Sequence, residues 1–123
     1  MDIIQKDEYY RIVGICMEVH SHLGGGLLEI VYKDALEYEF QKNNIPFERE
    51  KEYYIEYKEI ILPRKFYADF VVYDDIILEV KVATAIADIH VAQTLNYVRL
   101  INGKLGIIAN FNIRSLEHKR IIR

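Results

Sequence analysis

Residues 64–83 read RKFYADFVVYDDIILEVKVA, two apolar segments that each carry an acidic residue. Both segments are rich in β-branched and aromatic residues, which favours two consecutive strands. Glu79 and Lys81 stand two positions apart, so their side chains emerge on one face of a strand, and Asp69 lies within the preceding strand. This stretch therefore predicts a β-hairpin that holds charged groups at its centre.

The loop of this hairpin decides whether Asp69 and Glu79 share a face. Directly opposed residues of an antiparallel pair lie on the same face, so a two-residue loop sends Asp69 to the face away from Glu79. A three-residue loop at positions 73–75 instead places Asp69 directly across from Glu79. This loop lacks glycine, and Asp74 or Asp75 would have to adopt the left-handed conformation, which Asp tolerates better than most residues. We therefore predict an odd-length loop, or an even one corrected by a β-bulge, with Asp69 and Glu79 as cross-strand neighbours.

Helical and strand patterns alternate along the rest of the chain. Apolar residues recur at intervals of three and four from Tyr9 to Leu23 and from about Leu27 to Lys42, on either side of three glycines, which predicts an N-terminal helical hairpin. The inward face of the second helix is expected to carry Leu28, Val31, Tyr32, Ala35 and Leu36. Further strands are predicted at residues 50–60, 104–111 and 118–123, and a third helix at about 86–102.

This order of elements belongs to the α/β (α+β) class, with a central mixed sheet of about five strands flanked by helices. The chain has 123 residues, of which 51% are hydrophobic, and it contains neither a repeat nor a low-complexity linker. We therefore expect residues 1–123 to form a single domain around one core.

Composition limits where the protein works and what it contacts. Cys16 is the only cysteine, so one chain cannot build a disulfide framework or a cysteine-rich metal site, and a buried hydrophobe in a reducing cytoplasm is expected. No apolar run reaches the length of a membrane span, and the N-terminus lacks the layout of a signal peptide, so no membrane partner is expected. The net charge of −3 argues against coating nucleic acid by bulk electrostatics. Residues 60–123, however, hold 9 Lys or Arg against 6 Asp or Glu, so this half could face phosphates.

The charged residues of the hairpin point to metal chemistry when they are taken together. Alone, each of Asp69, Glu79 and Lys81 is compatible with a solvent-facing strand position. Together, within strands this apolar, they cost free energy unless a partner compensates them. Mg²⁺ or Mn²⁺ binds carboxylate oxygens and keeps water positions for a phosphate, while a neighbouring lysine can orient the attacking water and offset charge on phosphorus.

The layout of Asp69, then Glu79-Val80-Lys81, then a helix resembles the PD-(D/E)XK superfamily of metal-dependent nucleases. The segment Gly26-Leu27-Leu28-Glu29-Ile30-Val31-Tyr32 resembles the GxxExxY signature that names one family of that superfamily. The resemblance continues in order over residues 8–122, through His20, Leu23 to Gly26, Ala68 to Phe70, His90, Gln93, Asn96-Tyr97 and Gly106 to Phe111. Such families often show Gly-Pro-Gly where this chain has Gly24-Gly25-Gly26. The resemblance implies a restriction-endonuclease-like core.

The resemblance also implies roles for individual residues. Asp69 and Glu79 would be the metal ligands, Lys81 the catalytic lysine, and Glu29 a further acid; for Glu29 a simple helix N-terminal charge is the alternative. Gln93 and Tyr97 stand four apart on one helix face, a pattern similar to that of RecB-type nucleases, in which the pair lies beside the metal site. A buried polar pair that anchors the helix is the alternative. His90, one turn earlier, could face the same cleft. Tyr32 is interpreted as a packed aromatic with a tethered hydroxyl.

Two functions follow from this interpretation. The first is a Mg²⁺- or Mn²⁺-dependent nuclease that hydrolyses phosphodiester bonds of DNA or RNA, with DNA favoured. The second is a non-catalytic nucleic-acid or protein interaction module with the same fold. A homodimer is compatible with the tyrosine-rich segment 53–57.

Overall fold

The computed structural model describes residues 4–123 and contains three helices and five strands in that range. They follow the order α1 (Lys6–Leu23), α2 (Glu29–Lys42), β1 (Phe47–Tyr57), β2 (Ile60–Val72), β3 (Ile76–Lys81), α3 (Asp88–Leu100), β4 (Leu105–Phe111) and β5 (Leu116–Ile122). This is the predicted order of elements. None of the helices within residues 4–123 is long and apolar enough to span a membrane.

The strands form one mixed sheet in the order β1-β2-β3-β4-β5. Strands β3 and β4 are parallel and joined through α3, while the other three neighbouring pairs are antiparallel. The predicted mixed sheet of about five strands is confirmed. Because β3 and β4 run in the same direction, their carboxyl ends, Lys81 and Phe111, lie at the same edge of the sheet.

The helices cover the two faces of the sheet. Helices α1 and α2 pack on one face, where the alternate residues Phe70, Val72, Leu78 and Val80 meet them. On the other face, Val98 of α3 packs with Ala68, Val71 and Ile77. In α2 the predicted inward face is partly wrong. Leu28 and Val31 are exposed, whereas Lys33 and Phe40 are buried, because the helix begins only at Glu29 and its first turn extends past the core.

Strand β2 begins at Ile60, four residues before the predicted start at residue 64. The pattern was interrupted by Pro63, which lacks the N–H that a central strand position requires. In the structure, β3 pairs only with residues 70–72 of β2, so Pro63 lies where β2 has β1 as its single neighbour. The first half of β2 and most of β1 therefore form a two-stranded arm.

The register of the β2–β3 hairpin confirms the three-residue loop. Val72 pairs with Ile76 and Phe70 with Leu78, so residues 73–75 form the loop. Asp74 adopts a left-handed conformation with φ 71°, and Tyr73 does so as well with φ 52°. The conformation of Tyr73 was not anticipated, since a bulky aromatic residue rarely has positive φ.

Candidate active site

The backbone ladder between β2 and β3 ends at Phe70 and Leu78, one pair before Asp69 and Glu79. Beyond that point the two side-chain carboxylates, and not backbone carbonyls, accept hydrogen bonds from the opposite strand. The backbone N–H of Asp69 donates to Oε2 of Glu79 at 2.9 Å, and the N–H of Val80 donates to Oδ2 of Asp69 at 2.8 Å. The two acids are therefore held as neighbours by reciprocal hydrogen bonds to backbone N–H groups, and the predicted convergence of Asp69 and Glu79 is what the structure contains.

Strand β2 changes its facing at Asp69. Phe70 packs on the side of α1 and α2, whereas Ala68 packs with Val98 of α3. Regular alternation along a strand predicts Ala68 and Phe70 on one face, and this prediction is wrong. In the neighbouring strand Glu50, the register partner of Asp69, has a left-handed φ of 53°, and the two residues are not paired although the register is the same on either side. This irregularity frees the Asp69 side chain from strict alternation.

Lys33 of α2 contacts the second oxygen of Asp69. Its ammonium lies 2.9 Å from Oδ1 of Asp69 and also forms an ion pair with the carboxylate of Glu50. Lys33 is only 6% exposed, which is unusual for lysine unless it is paired. Neither Lys33 nor Glu50 was identified from the sequence. A lysine one turn after Glu29 is expected at the surface. The one feature of the sequence that indicates its burial is that it shares a helix face with Leu36 and Phe40.

Glu79 is the most deeply buried acid of the site, at 5% exposed. Burial, followed by the negative charge of Asp69, raises the pKa of Glu79 to about 8, while the Asp69 N–H and the Lys81 ammonium act in the opposite direction. Without a bound cation the Glu79 carboxyl thus keeps its proton at neutral pH. A buried acid whose pKa is raised beside a second carboxylate is typical of functional sites.

Glu29 stands in the first turn of α2. Partial burial, followed by the charge of Asp69, raises its pKa, and the positive charges of Lys81, Lys33 and His90 oppose this rise. These charges place Glu29 on the side of α2 toward Asp69 and Lys81. Its side chain is exposed, so its role beside the two acids stays a prediction.

Lys81 is the last residue of β3 and is half-buried. It lies two residues from Glu79 and shares its face of the strand. Its ammonium lowers the pKa of both Glu29 and Glu79. The lysine thus stands on the charged face, between the acids of two different elements.

Two of the predicted α3 residues, Gln93 and Tyr97, lie beside each other, and Tyr97 lies near the two acids. Burial and the charges of Glu79 and Asp69 raise the pKa of Tyr97, while the Gln93 side chain lowers it. The Tyr97 ring stacks on Phe66 with 4.5 Å between ring centroids, and so holds α3 against β2. Gln93 itself is exposed, so the alternative of a buried polar pair is wrong for this residue.

His90 serves the start of α3. Its Nδ1 accepts a hydrogen bond from the Ala87 N–H at 3.1 Å, which satisfies one of the free N–H groups at the helix terminus. The bond to Ala87 fixes the ring at the start of α3. That His90 faces the same site as Glu29 stays a prediction.

Tyr32 holds the glycine corner, which is the turn at Gly24 to Gly26 that leads to Glu29. Its ring is fully buried and stacks on Phe111 at 4.4 Å between centroids. Its hydroxyl donates to the Gly24 carbonyl at 2.7 Å and accepts from the Leu27 N–H at 3.2 Å. The prediction of a packed aromatic with a tethered hydroxyl is confirmed.

Gly25 brings this corner against the turn between β4 and β5. A Cβ at Gly25 would lie 2.2 Å from Cα of Ile113, so no larger residue fits there without moving the backbone. His20 adds a hydrogen bond from its ring to the Asn112 carbonyl at 2.7 Å. These contacts fix the first turn of α2, and with it Glu29, at the carboxyl edge of β4.

Two asparagines hold the chain that leaves β3. The buried Asn110 accepts from the Ala83 N–H at 2.8 Å and donates to the Ala83 carbonyl at 3.0 Å. Asn112 donates to the Thr84 carbonyl at 2.7 Å. A cavity of about 240 Å³ lies beside this segment, lined mainly by apolar groups of residues 26–27, 82–84 and 111–113. Lys81 therefore precedes a fixed segment that borders an open cavity.

The donor set fits a divalent metal ion by its chemistry. Within residues 4–123 no three His, Cys, Asp or Glu side chains are already arranged around one metal position. Asp69 and Glu79 are nevertheless adjacent carboxylates, with Glu29 near them, and such oxygen ligands suit a hard cation. Burial of Glu79 next to the charge of Asp69 is unfavourable for the ionised form, and a cation between the two acids would relieve it.

Comparisons with known proteins agree with this geometry. The model of the family described as PD-(D/E)XK nuclease superfamily matches residues 6–121. Among curated proteins the comparison found no match. A solved structure described as "Crystal structure of SSO0001" is similar, with 21% sequence identity and a TM-score of 0.60 over 76% of this chain and 48% of that one. The chain thus spans about half the length of that protein, and a likeness at this identity concerns the fold alone.

Proposed function

Since this chain belongs to the PD-(D/E)XK nuclease superfamily, we propose that it is a metal-dependent nuclease that hydrolyses phosphodiester bonds at Asp69, Glu79 and Lys81. Its five-stranded mixed sheet with flanking helices is the restriction-endonuclease-like fold. Superfamily membership implies contact with nucleic acid, and PD-(D/E)XK nucleases generally use divalent metals. The activity and the roles of single residues are our proposal.

One observation carries the proposal, namely the exchange of hydrogen bonds between the carboxylates of Asp69 and Glu79 and the opposite backbone. A regular apolar ladder would be more favourable for folding, because burying a carboxyl group costs free energy. The chain instead ends the ladder at two acids and surrounds them with Glu29 and Lys81. Such a departure from local stability is expected at functional sites.

The proposed cofactor is Mg²⁺ or Mn²⁺, held by Asp69 and Glu79 with Glu29 as a further ligand. When bound, such a cation stabilises negative charge on phosphate oxygens and lowers the pKa of water. Glu79 would have to give up its proton to serve as a ligand, because carboxylates bind metal in their deprotonated form.

The remaining chemistry belongs to the side chains of this protein. We assign to Lys81 the orientation of the attacking water, together with a hydrogen bond to a phosphate oxygen that strengthens as charge develops there. We assign to Gln93, which is exposed on α3, contact with substrate or the ordering of the site. Tyr97, His90 and Tyr32 keep α3 and the glycine corner in position.

Several finer assignments are part of the same proposal. The Gly26 to Tyr32 pattern supports placement in the GxxExxY family, and DNA is preferred over RNA as substrate. We propose a single domain over residues 1–123. Buried, unpaired Cys16 supports a reducing cytoplasm. The exposed rings of Tyr54 and Tyr57 on the β1–β2 arm support a homodimer as an open alternative.

A non-catalytic interaction module is the second candidate function, and the ion pair of Asp69 with Lys33 favours it. Both oxygens of Asp69 already have partners, from Lys33 and from Val80. In a protein that never binds metal, the Lys33 ammonium would permanently balance the charge of Asp69. This function predicts binding of nucleic acid or protein without cleavage.

A cleavage assay with matched variants tests the proposal. The protein is incubated with Mg²⁺ or Mn²⁺ and labelled single- and double-stranded DNA and RNA, beside Glu79→Gln and Lys81→Met. Glu59→Gln and Lys104→Met, at exposed positions of a strand turn and a loop, are the controls. We expect wild type and both controls to cleave, and both site variants to lose cleavage while they keep the fold by circular dichroism. Cleavage that survives in Glu79→Gln would overturn the nuclease assignment. So would a wild-type protein that binds metal but cleaves none of the substrates.

A further inference from the structure

Lys33 has no role in the chemistry described so far, yet it is the one buried lysine among residues 4–123. Its side chain is 8% exposed, against 46% for Glu50 and 15% for Asp69. A buried ammonium is unfavourable unless its charge is balanced and its donors are used. Here both partners are carboxylates, and one of them belongs to the candidate metal site.

The contacts of Asp69 are divided between two elements. Lys33, from α2, holds Oδ1, and the Val80 N–H, from β3, holds Oδ2. With both oxygens fixed, the plane of the carboxylate is set before any ligand arrives. Remaining lone pairs on the two oxygens stay free to bind a cation, because each carboxylate oxygen accepts more than one bond.

We propose that Lys33 is a positioning residue for metal binding, which orients the Asp69 carboxylate and keeps Glu50 from repelling it. This inference rests on the proposed function, since it assigns Asp69 to the metal. Glu50 is part of the device because it is the second carboxylate that holds the ammonium.

The consequence of losing Lys33 follows from the charges that remain. Glu50 and Asp69 both contact one ammonium, so without it two carboxylates face each other across the gap it leaves. Like charges at this distance repel strongly in a partly buried site. The Asp69 carboxylate would turn away from its bond with Val80, and its preset orientation would be lost. Neutralising Glu50 removes this repulsion but does not replace the bond from Lys33.

Two accounts therefore predict opposite signs. If Lys33 were only a nearby positive charge, its removal would tighten the binding of a cation by lowering repulsion. If it positions Asp69, its removal weakens binding, as the loss of supporting hydrogen bonds around metal ligands does, by roughly 10–100-fold.

Calorimetric titration of Mn²⁺ into the whole protein separates these accounts. The variants are Lys33→Met, Glu50→Gln and the double variant, with Lys42→Met, an exposed lysine of the same helix, as control. We expect Lys33→Met to bind roughly tenfold more weakly, Lys42→Met to bind as wild type does, and both Glu50→Gln and the double variant to lie between Lys33→Met and wild type.

Tighter binding by Lys33→Met, or unchanged binding with a lower melting temperature, would overturn the inference while leaving the metal site intact. A wild type that does not bind Mn²⁺ would overturn the proposed function as well, so the two failures are distinguishable. If Lys33→Met does not fold, the double variant is compared with Glu50→Gln. Weaker binding by the double variant is then the expected result, and equal or tighter binding overturns the inference.

Discussion

The two ends of the β2–β3 pair are built from the same strands but differ in kind. At the end near the loop, the three residue pairs from Phe70 with Leu78 to Val72 with Ile76 form a regular ladder of buried apolar side chains. At the other end, Asp69 and Glu79 replace the ladder by side-chain bonds to backbone N–H groups. The apolar ladder at the first end stabilises the fold, whereas the buried acids at the second end cost free energy. Substitutions at the two ends are therefore expected to change different properties.

The largest expected effect is on catalysis, at the end that carries Asp69 and Glu79. Asp69→Asn keeps the shape of the side chain but removes the charge that a divalent cation requires, so we expect cleavage to fall by roughly a hundredfold or more. The measurement is single-turnover cleavage with Mg²⁺ on the best substrate of the panel. Asp74→Asn, in the exposed loop of the same hairpin, is the control, since Asn tolerates the left-handed conformation of that residue. Equal loss in both variants would mean that the charge of Asp69 has no special role.

The next effect is on stability at the regular end. Leu78 is fully buried between the sheet and the two N-terminal helices, so Leu78→Ala should lower the free energy of unfolding by about 2–5 kcal/mol. Denaturant unfolding measures this loss, with Ile113→Ala, at a 76% exposed position, as the control. We expect Mn²⁺ affinity to stay within a few-fold of wild type below the melting temperature. A tenfold loss of affinity in Leu78→Ala would show that the two ends are not separate.

A smaller effect concerns the pH dependence of the metal-free protein. The pKa of Glu79 is raised from 4.5 to about 8, so between these values the folded state binds more protons than the unfolded state. Stability that is fully present below pH 4.5 is therefore lost as pH rises through about 8. We expect Glu79→Gln, which cannot ionise, to lack this loss and to exceed wild type at pH 9 by on the order of 1–3 kcal/mol. Denaturant unfolding from pH 5 to 9 with a chelator present tests this, and parallel curves for the two proteins would contradict it.

The smallest effect is expected at the glycine corner, which belongs to neither end but positions Glu29. Tyr32→Phe keeps the ring stack and removes the two hydrogen bonds of the hydroxyl, so unfolding should become easier by about 1–2 kcal/mol. Tyr38→Phe, at an exposed position of the same helix, should change nothing. If Tyr32→Phe proves as stable as wild type, the hydroxyl is not what fastens the corner.

Much of the β2–β3 comparison could be predicted from the sequence, because it depends on local rules. The alternation of side chains along strands and the parity of the loop were enough to place Asp69 opposite Glu79. The glycine triplet and the periodic apolar positions were enough to separate the first two helices. These features depend on neighbours within a few residues, which a single sequence displays directly.

What the sequence did not display is the set of contacts between distant elements. Lys33 and Glu50 stand 36 and 19 positions before Asp69, and nothing in their local pattern marks them as its partners. The change of facing at Asp69 depends on the left-handed backbone of Glu50 in a neighbouring strand. The inclusion of Pro63 in β2 depends on the absence of a second neighbouring strand at that position. Each of these features follows from how the elements meet and not from the composition of any one of them.

The central claim is that Asp69 and Glu79 together hold a divalent cation, and a crystal structure of the protein soaked in Mn²⁺ tests it most directly. The account predicts an anomalous scattering peak about 2.0–2.4 Å from carboxylate oxygens of both Asp69 and Glu79, and no such peak in Glu79→Gln crystals treated in the same way. A Mn²⁺ peak elsewhere on the protein, with the Asp69 and Glu79 bonds to the backbone unchanged and no ion between them, would contradict the account.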